Sequence, residues 1–155
     1  MTDLTDLLAR EGILGSLKAN SKKRVLQDLS APAAARTGLP ERQIFETILQ
    51  RERLGSTGVG NGIAIPHGKL AGVDALTGVF ARLENPVDFD AIDGEPVDLV
   101  FLLLAPENAG ADHLKALSRI ARTLRDKERV ERLRATRDPD TILAVLTDTG
   151  RDRAA

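Results

Sequence analysis

The run VDLVFLLL at positions 97–104 constrains the fold more than any other stretch of the chain. It is apolar everywhere except Asp98, and a strand sends successive side chains to opposite faces, so this one requires cover on both sides. A strand of that kind belongs in the middle of a sheet with helices above and below it. The rest of the chain supplies them. Ser21 is placed to cap a helix running through Val25, Leu26 and Leu29, with Pro32 expected to break or kink it and Gly38 to close it. A second helix is predicted from Pro40 to near Leu54, carrying Ile44, Phe45, Ile48 and Leu49 on its apolar side and stopped by Gly55. Further helices are predicted over 111–126, 128–135 and 139–146, and Leu4, Leu7 and Leu8 suggest one more turn. Strands are predicted over 13–17, 62–65 (stopped by Pro66) and 76–83, with turns at Asn85-Pro86 and Asp93-Gly94. Four glycines between 55 and 62 predict a loop. Helices that precede, interrupt and follow the strands give an α/β fold, a three-layer α/β/α domain with a mixed central sheet. With no internal repeat and no linker, residues 1–150 are expected to form one domain and 151–155 a frayed tail.

Composition narrows the function. There are 22 basic and 23 acidic residues, for a formal net charge of -1, and the aromatics are four Phe with no Trp or Tyr. Neither the charge balance nor the stacking surface suits a nucleic-acid binder. The chain has no Cys, which removes disulfides, thiolate nucleophiles and Cys-ligated metals. The N-terminus shows no signal-peptide pattern, and the apolar run ending at Ala105 is too short to span a bilayer. A cytoplasmic protein without membrane insertion is expected.

Only two histidines exist, His67 and His113. His67 follows Ile65-Pro66 at the mouth of a strand and precedes Gly68-Lys69, so the expected geometry is a strand end opening into a Gly-flanked turn. Such a place presents a side chain while holding its backbone, which suits a nucleophile or ligand; it equally suits a histidine that merely ends a strand. His113 lies near a helix start, four, seven and eleven residues before Leu117, Ile120 and Leu124, on the same face. The positive end of the helix dipole there disfavours an imidazolium and favours a nearby anion. Taken alone, a packed helix-start histidine accounts for it. Gly58-Val59-Gly60-Asn61-Gly62-Ile63 lacks the third glycine of a dinucleotide fold, and Gly68-Lys69-Leu70 lacks the rest of a P-loop. No His-Glu-x-x-His, calcium-loop spacing or serine-hydrolase elbow occurs.

The segment RERLGSTGVGNGIAIPHGKL, from Arg51 to Leu70, resembles the active-site segment of the enzyme IIA proteins of the bacterial phosphoenolpyruvate phosphotransferase system. The nitrogen-related regulatory branch is nearest, the fructose and mannitol branch next. The resemblance continues through SKKRVLQDLS, FDAIDGEPVDLVFLLLAP and DHLKALSRIARTLRD. It implies that the histidine of the IPHGK segment, His67, is phosphorylated by a histidine phosphocarrier protein. It also implies that an arginine sixteen residues earlier, Arg51, assists, and that His113 completes the site. Periodicity does not choose between Arg51 and Arg53; the resemblance alone selects Arg51. Lys69 reads as an exposed lysine, and Ser56 and Thr57 as residues shaping the loop through side-chain-to-backbone bonds. Pro32 departs from a segment that is helical in the family, so a local rearrangement is expected there. No cofactor or metal is implied.

The function implied is phosphate-dependent regulation of nitrogen, potassium or carbon metabolism, through targets such as sensor kinases or potassium transport regulators; weak homo-oligomerisation is compatible with it. Two other readings stand beside this one. A sugar-specific enzyme IIA would pass the phosphate to an enzyme IIB. A non-phosphorylated interaction or anion-binding module would keep the fold alone, and would not need Arg51, His67 and His113 together.

Overall fold

The computed structural model describes residues 4–147. After a 3₁₀ turn at Arg10–Gly12 the chain forms β1 (Ile13–Leu17), α1 (Lys22–Thr37), α2 (Glu41–Leu54), β2 (Gly58–Gly60), β3 (Ile63–Ala64), β4 (His67–Leu70), β5 (Thr77–Val87) and β6 (Val97–Pro106). Three helices follow: α3 (Ala111–Thr123), α4 (Lys127–Arg134) and α5 (Pro139–Thr147). The expected frayed tail lies outside the described residues. Among the described residues no helix is long and apolar enough to cross a membrane.

The sheet is mixed. β5 and β6 pair antiparallel, whereas β1 joins β5, and β3 and β4 join β6, in parallel; β2 pairs antiparallel with β3 at the other edge. The doubly apolar strand is indeed central and splits its side chains between two cores. Leu99, Phe101 and Leu103 pack with Ala116, Ile120, Leu133, Ile142 and Val145 of α3, α4 and α5. Val100, Leu102 and Leu104 pack with Leu26, Leu29, Ile44 and Ile48 of α1 and α2. This is the three-layer α/β/α arrangement that the apolar run demanded.

Three local expectations change. Pro32 does not end α1, which runs on to Thr37 and closes on Gly38 at φ +77°. Leu29 and Ala33, on either side of Pro32, are both fully buried in one core, so tertiary packing outweighs the one lost backbone bond. Asn85-Pro86 lies inside β5 and not at a turn, where the register with β6 shifts between Arg82 and Val87. Proline is tolerated at such an irregularity because no ladder bond is asked of its nitrogen. Finally, Gly58–Gly60 pairs as a short edge strand within the expected loop.

Candidate functional site

Three chain segments converge at one end of β4: the last turn of α2, the start of β4 and the first turn of α3. His67 opens β4, so it stands at the beginning of a strand, and Gly68-Lys69 continue that strand instead of turning. The correction follows from Pro66. Its ring interrupts the ladder between β3 and β4, but Ile63 pairs Leu99 and His67 pairs Leu103 in one unbroken register. The Pro66 carbonyl still accepts from Leu103 N–H at 2.9 Å. The strand therefore resumes at His67 without a change of register.

The carbonyl one peptide earlier, on the Ile65–Pro66 peptide, serves the ring instead. His67 Nδ1 lies 2.9 Å from the carbonyl of Ile65. A carbonyl only accepts, so Nδ1 carries the proton and Nε2 keeps the lone pair. Burial pushes the His67 pKa below its ordinary value and the Arg51 charge adds to this, with the Ile65 bond and Glu52 opposing. The ring is thus a neutral imidazole with a defined tautomer at neutral pH.

His113 is buried on α3 with Ala116, Ile120 and Thr123. Its ring stands edge-on to that of His67, with centroids 5.5 Å apart and an interplanar angle of 65°. Burial is the main cause of its lowered pKa, and repulsion from His67 and Lys69 contributes. The sequence argument named the helix dipole; burial of the ring acts in the same direction. Its Nε2 is fully buried and has no hydrogen-bond partner. Leaving such a group unmatched costs on the order of 1–3 kcal/mol, a cost an arriving anionic oxygen would relieve.

Arg51 comes from the last turn of α2 and reaches back to the Gly55 carbonyl at 3.0 Å. It lines an open groove of about 730 Å³ together with His67, His113, Lys69, Gln50 and Leu54. Arg53 lines the same groove, so the structure brings both arginines to the two histidines. Leu54 on one side is 85% exposed, and Leu114, next to His113, is 69% exposed. Arg51, Arg53 and Lys69 give the groove a cationic lining, with the exposed Leu54 beside them.

Glu52 was missed as a site residue. Its side chain is 2% exposed, and it accepts from Thr57 N–H at 2.9 Å, Thr57 Oγ1–H at 2.6 Å and Lys22 Nζ at 3.0 Å. The signal was present: Ile44, Ile48 and Glu52 recur every four residues along the buried stripe of α2, so a carboxylate on an apolar face marks a needed partner. Thr57 thus shapes the loop through a side-chain pair with Glu52, whereas Ser56 Oγ donates to the Phe89 carbonyl.

Comparison with known proteins points one way. The family model described as phosphoenolpyruvate-dependent sugar phosphotransferase system, EIIA 2, matches residues 6–149. A nitrogen regulatory protein of Bradyrhizobium diazoefficiens is 62% identical over 143 residues, covering 92% of this chain and 94% of that one. The crystal structure of nitrogen regulatory protein IIA-Ntr from Neisseria meningitidis superimposes with a TM-score of 0.88 at 40% identity, over 93% of this chain and 99% of that chain. The Escherichia coli mannitol IIA, determined in complex with phosphorylated mannitol IIB, gives a TM-score of 0.74 at 25% identity, over 90% and 96% of the two chains.

Proposed function

The chain belongs to the EIIA 2 family of the phosphoenolpyruvate-dependent sugar phosphotransferase system, and on that premise we propose that it is a nitrogen-regulatory phosphohistidine carrier, phosphorylated on His67 Nε2. The observation that carries the proposal is the Nδ1–H to Ile65 carbonyl bond, which leaves Nε2 as the nucleophilic nitrogen. The donor is the phosphohistidine of a histidine phosphocarrier protein in the cytoplasm. The His67 Nε2 lone pair attacks phosphorus in line, the P–N bond of the donor breaks, and its electron pair returns to the donor ring. No proton moves in this step. Positive charge grows on the His67 ring, and the Ile65 carbonyl stabilises it through Nδ1–H.

Charge on the three equatorial oxygens is met by the Arg51 guanidinium and by the His113 Nε2–H. Their cationic groove favours the anion, and the exposed apolar Leu54 that lines it suits a protein partner over a small sugar. The regulatory output, on sensor kinases or potassium transport regulators, then depends on whether His67 is charged with phosphate. Near-full-length similarity to the Bradyrhizobium nitrogen regulatory protein supports this branch. Similarity to a mannitol IIA seen with its phosphorylated IIB supports the second reading, a sugar-specific carrier.

The test is direct. Phosphoenolpyruvate, enzyme I and the histidine phosphocarrier should give an acid-labile phosphate on the wild-type chain and none on His67→Ala. An unlabelled wild-type chain in the presence of active donors overturns the carrier reading. Rapid discharge of the phosphorylated chain to fructose- or mannitol-type IIB domains would favour sugar transfer over regulation.

A further inference from the structure

The buried carboxylate of Glu52 is tied to His67 by an unbroken series of hydrogen bonds. Thr57 donates its N–H to Glu52 Oε2 at 2.9 Å. The Thr57 carbonyl in turn accepts from Ile65 N–H at 2.9 Å, and the Ile65 carbonyl accepts from His67 Nδ1 at 2.9 Å. A second arm runs the other way. Gly55 donates its N–H to the Glu52 carbonyl at 3.2 Å, and the Gly55 carbonyl accepts from Arg51 at 3.0 Å. The ring is thus referenced to the Glu52 carboxylate, and the guanidinium to the Glu52 main-chain carbonyl.

The choice of side chain matters. Three donors converge on Glu52: an amide N–H, a hydroxyl and the Lys22 ammonium. A carboxylate has acceptor sites for all three. Lys22 balances its charge, held from behind by Asp90 at 3.4 Å and lying 5.4 Å over the Phe89 ring. A paired, fully bonded carboxylate of this kind is a rigid peg, and withdrawing it leaves two buried donors unmatched.

We propose that the Glu52 carboxylate makes this residue a positioning residue of the phosphoryl-acceptor site, which holds the 55–62 loop so that Thr57 and Ile65 aim the carbonyl fixing the His67 tautomer. The inference rests on the carrier reading of His67 but makes a claim of its own about ring geometry. Glu52 touches neither the ring nor the phosphate; it acts through the loop.

The experiment compares Glu52→Ala, Glu52→Gln and Glu52→Asp with the wild-type chain by two readouts. One is the ¹⁵N spectrum of the His67 ring, which reports the tautomer without any phosphate donor. The other is the initial rate of phosphoryl transfer from the phosphorylated histidine phosphocarrier. In Glu52→Gln the amide oxygen keeps the Thr57 N–H, and its NH₂ donates to a reoriented Thr57 hydroxyl, so tautomer and rate are retained within about threefold. Glu52→Ala is expected to mix the His67 tautomers and lower the rate at least tenfold. Should Glu52→Ala fail to fold, Glu52→Asp, which withdraws the carboxylate by one methylene, is expected to show the same tautomer mixing with a smaller loss of rate. Folded Glu52→Ala, or in its place Glu52→Asp, with the wild-type tautomer and rate overturns the proposal. A wild-type chain that holds the Nδ1–H tautomer yet takes no phosphate overturns the carrier reading instead.

Discussion

Replacing Gly62 by alanine tests the junction that launches the strand toward His67. Gly62 sits at φ +80°, just before β3, and its carbonyl accepts from Asp98 and Leu99 N–H at 2.9 and 3.1 Å. A Cβ there would overlap Arg134 Nη2 and lie 2.8 Å from Asp98 Oδ1. Those atoms belong to a two-pronged ion pair, Arg134 Nε to Asp98 Oδ2 at 2.8 Å and Nη2 to Oδ1 at 2.9 Å, and Nη2 also donates to the Asn61 carbonyl at 2.8 Å. Gly94 provides an internal control: it has φ +74° and nothing within 4 Å of its would-be Cβ. Gly94→Ala should lose only the left-handed backbone preference, about 1 kcal/mol. Gly62→Ala loses the same amount plus the displaced pair. With the Arg134 and Asp98 side chains 39% and 24% exposed, solvent screening limits that added loss to about 1–2 kcal/mol. The total for Gly62→Ala is then about 2–3 kcal/mol. Urea unfolding followed by far-ultraviolet circular dichroism measures both, since the chain has no Trp or Tyr for fluorescence. Equal losses for the two variants, within about 0.5 kcal/mol, would refute the idea that Arg134 and Asp98 clamp this junction.

Two further outcomes are expected. The pKa values of His67 and His113 both lie below the ordinary 6.5, so between that value and their folded values the unfolded chain binds more protons. Stability from these residues is present above about pH 6.5 and is lost as pH falls through that window, while phosphate acceptance persists until His67 itself is protonated. Paired urea titrations and transfer rates across the window check this; a His67 that NMR shows protonated at its ordinary value or higher contradicts it. Leu54 is 85% exposed beside the groove, so Leu54→Ser should change stability by less than about 0.5 kcal/mol yet raise KM for the phosphocarrier severalfold with kcat little changed. An unaltered KM in steady-state transfer would remove Leu54 from the docking rim.

Much of this architecture was readable along the chain because its signals are local. The doubly apolar run at 97–104 demanded two covering layers, and β6 divides its side chains between the α3–α5 core and the α1–α2 core as that pattern requires. Ser21, Gly38 and Gly55 marked helix ends through backbone chemistry that needs no distant partner. Pro32 and Pro86 misled for the complementary reason. Each weakens its own segment, but buried neighbours on both sides of Pro32, and a register shift around Pro86, absorb the loss.

The candidate site divides along the same line. The residues themselves determined that only two imidazoles exist, that one follows a proline at a strand and that the other lies at a helix start. Their meeting at 5.5 Å was decided by the parallel register of β4 on β6 and by the way α3 folds back beside it. Likewise the spacing of Ile44, Ile48 and Glu52 carried an overlooked signal for a buried carboxylate, but none that Thr57 and Ile65 would connect it to His67. Periodicity reports which face of an element is buried. Which elements face one another depends on sheet pairing between residues far apart in the chain, and that is settled only when the whole core closes.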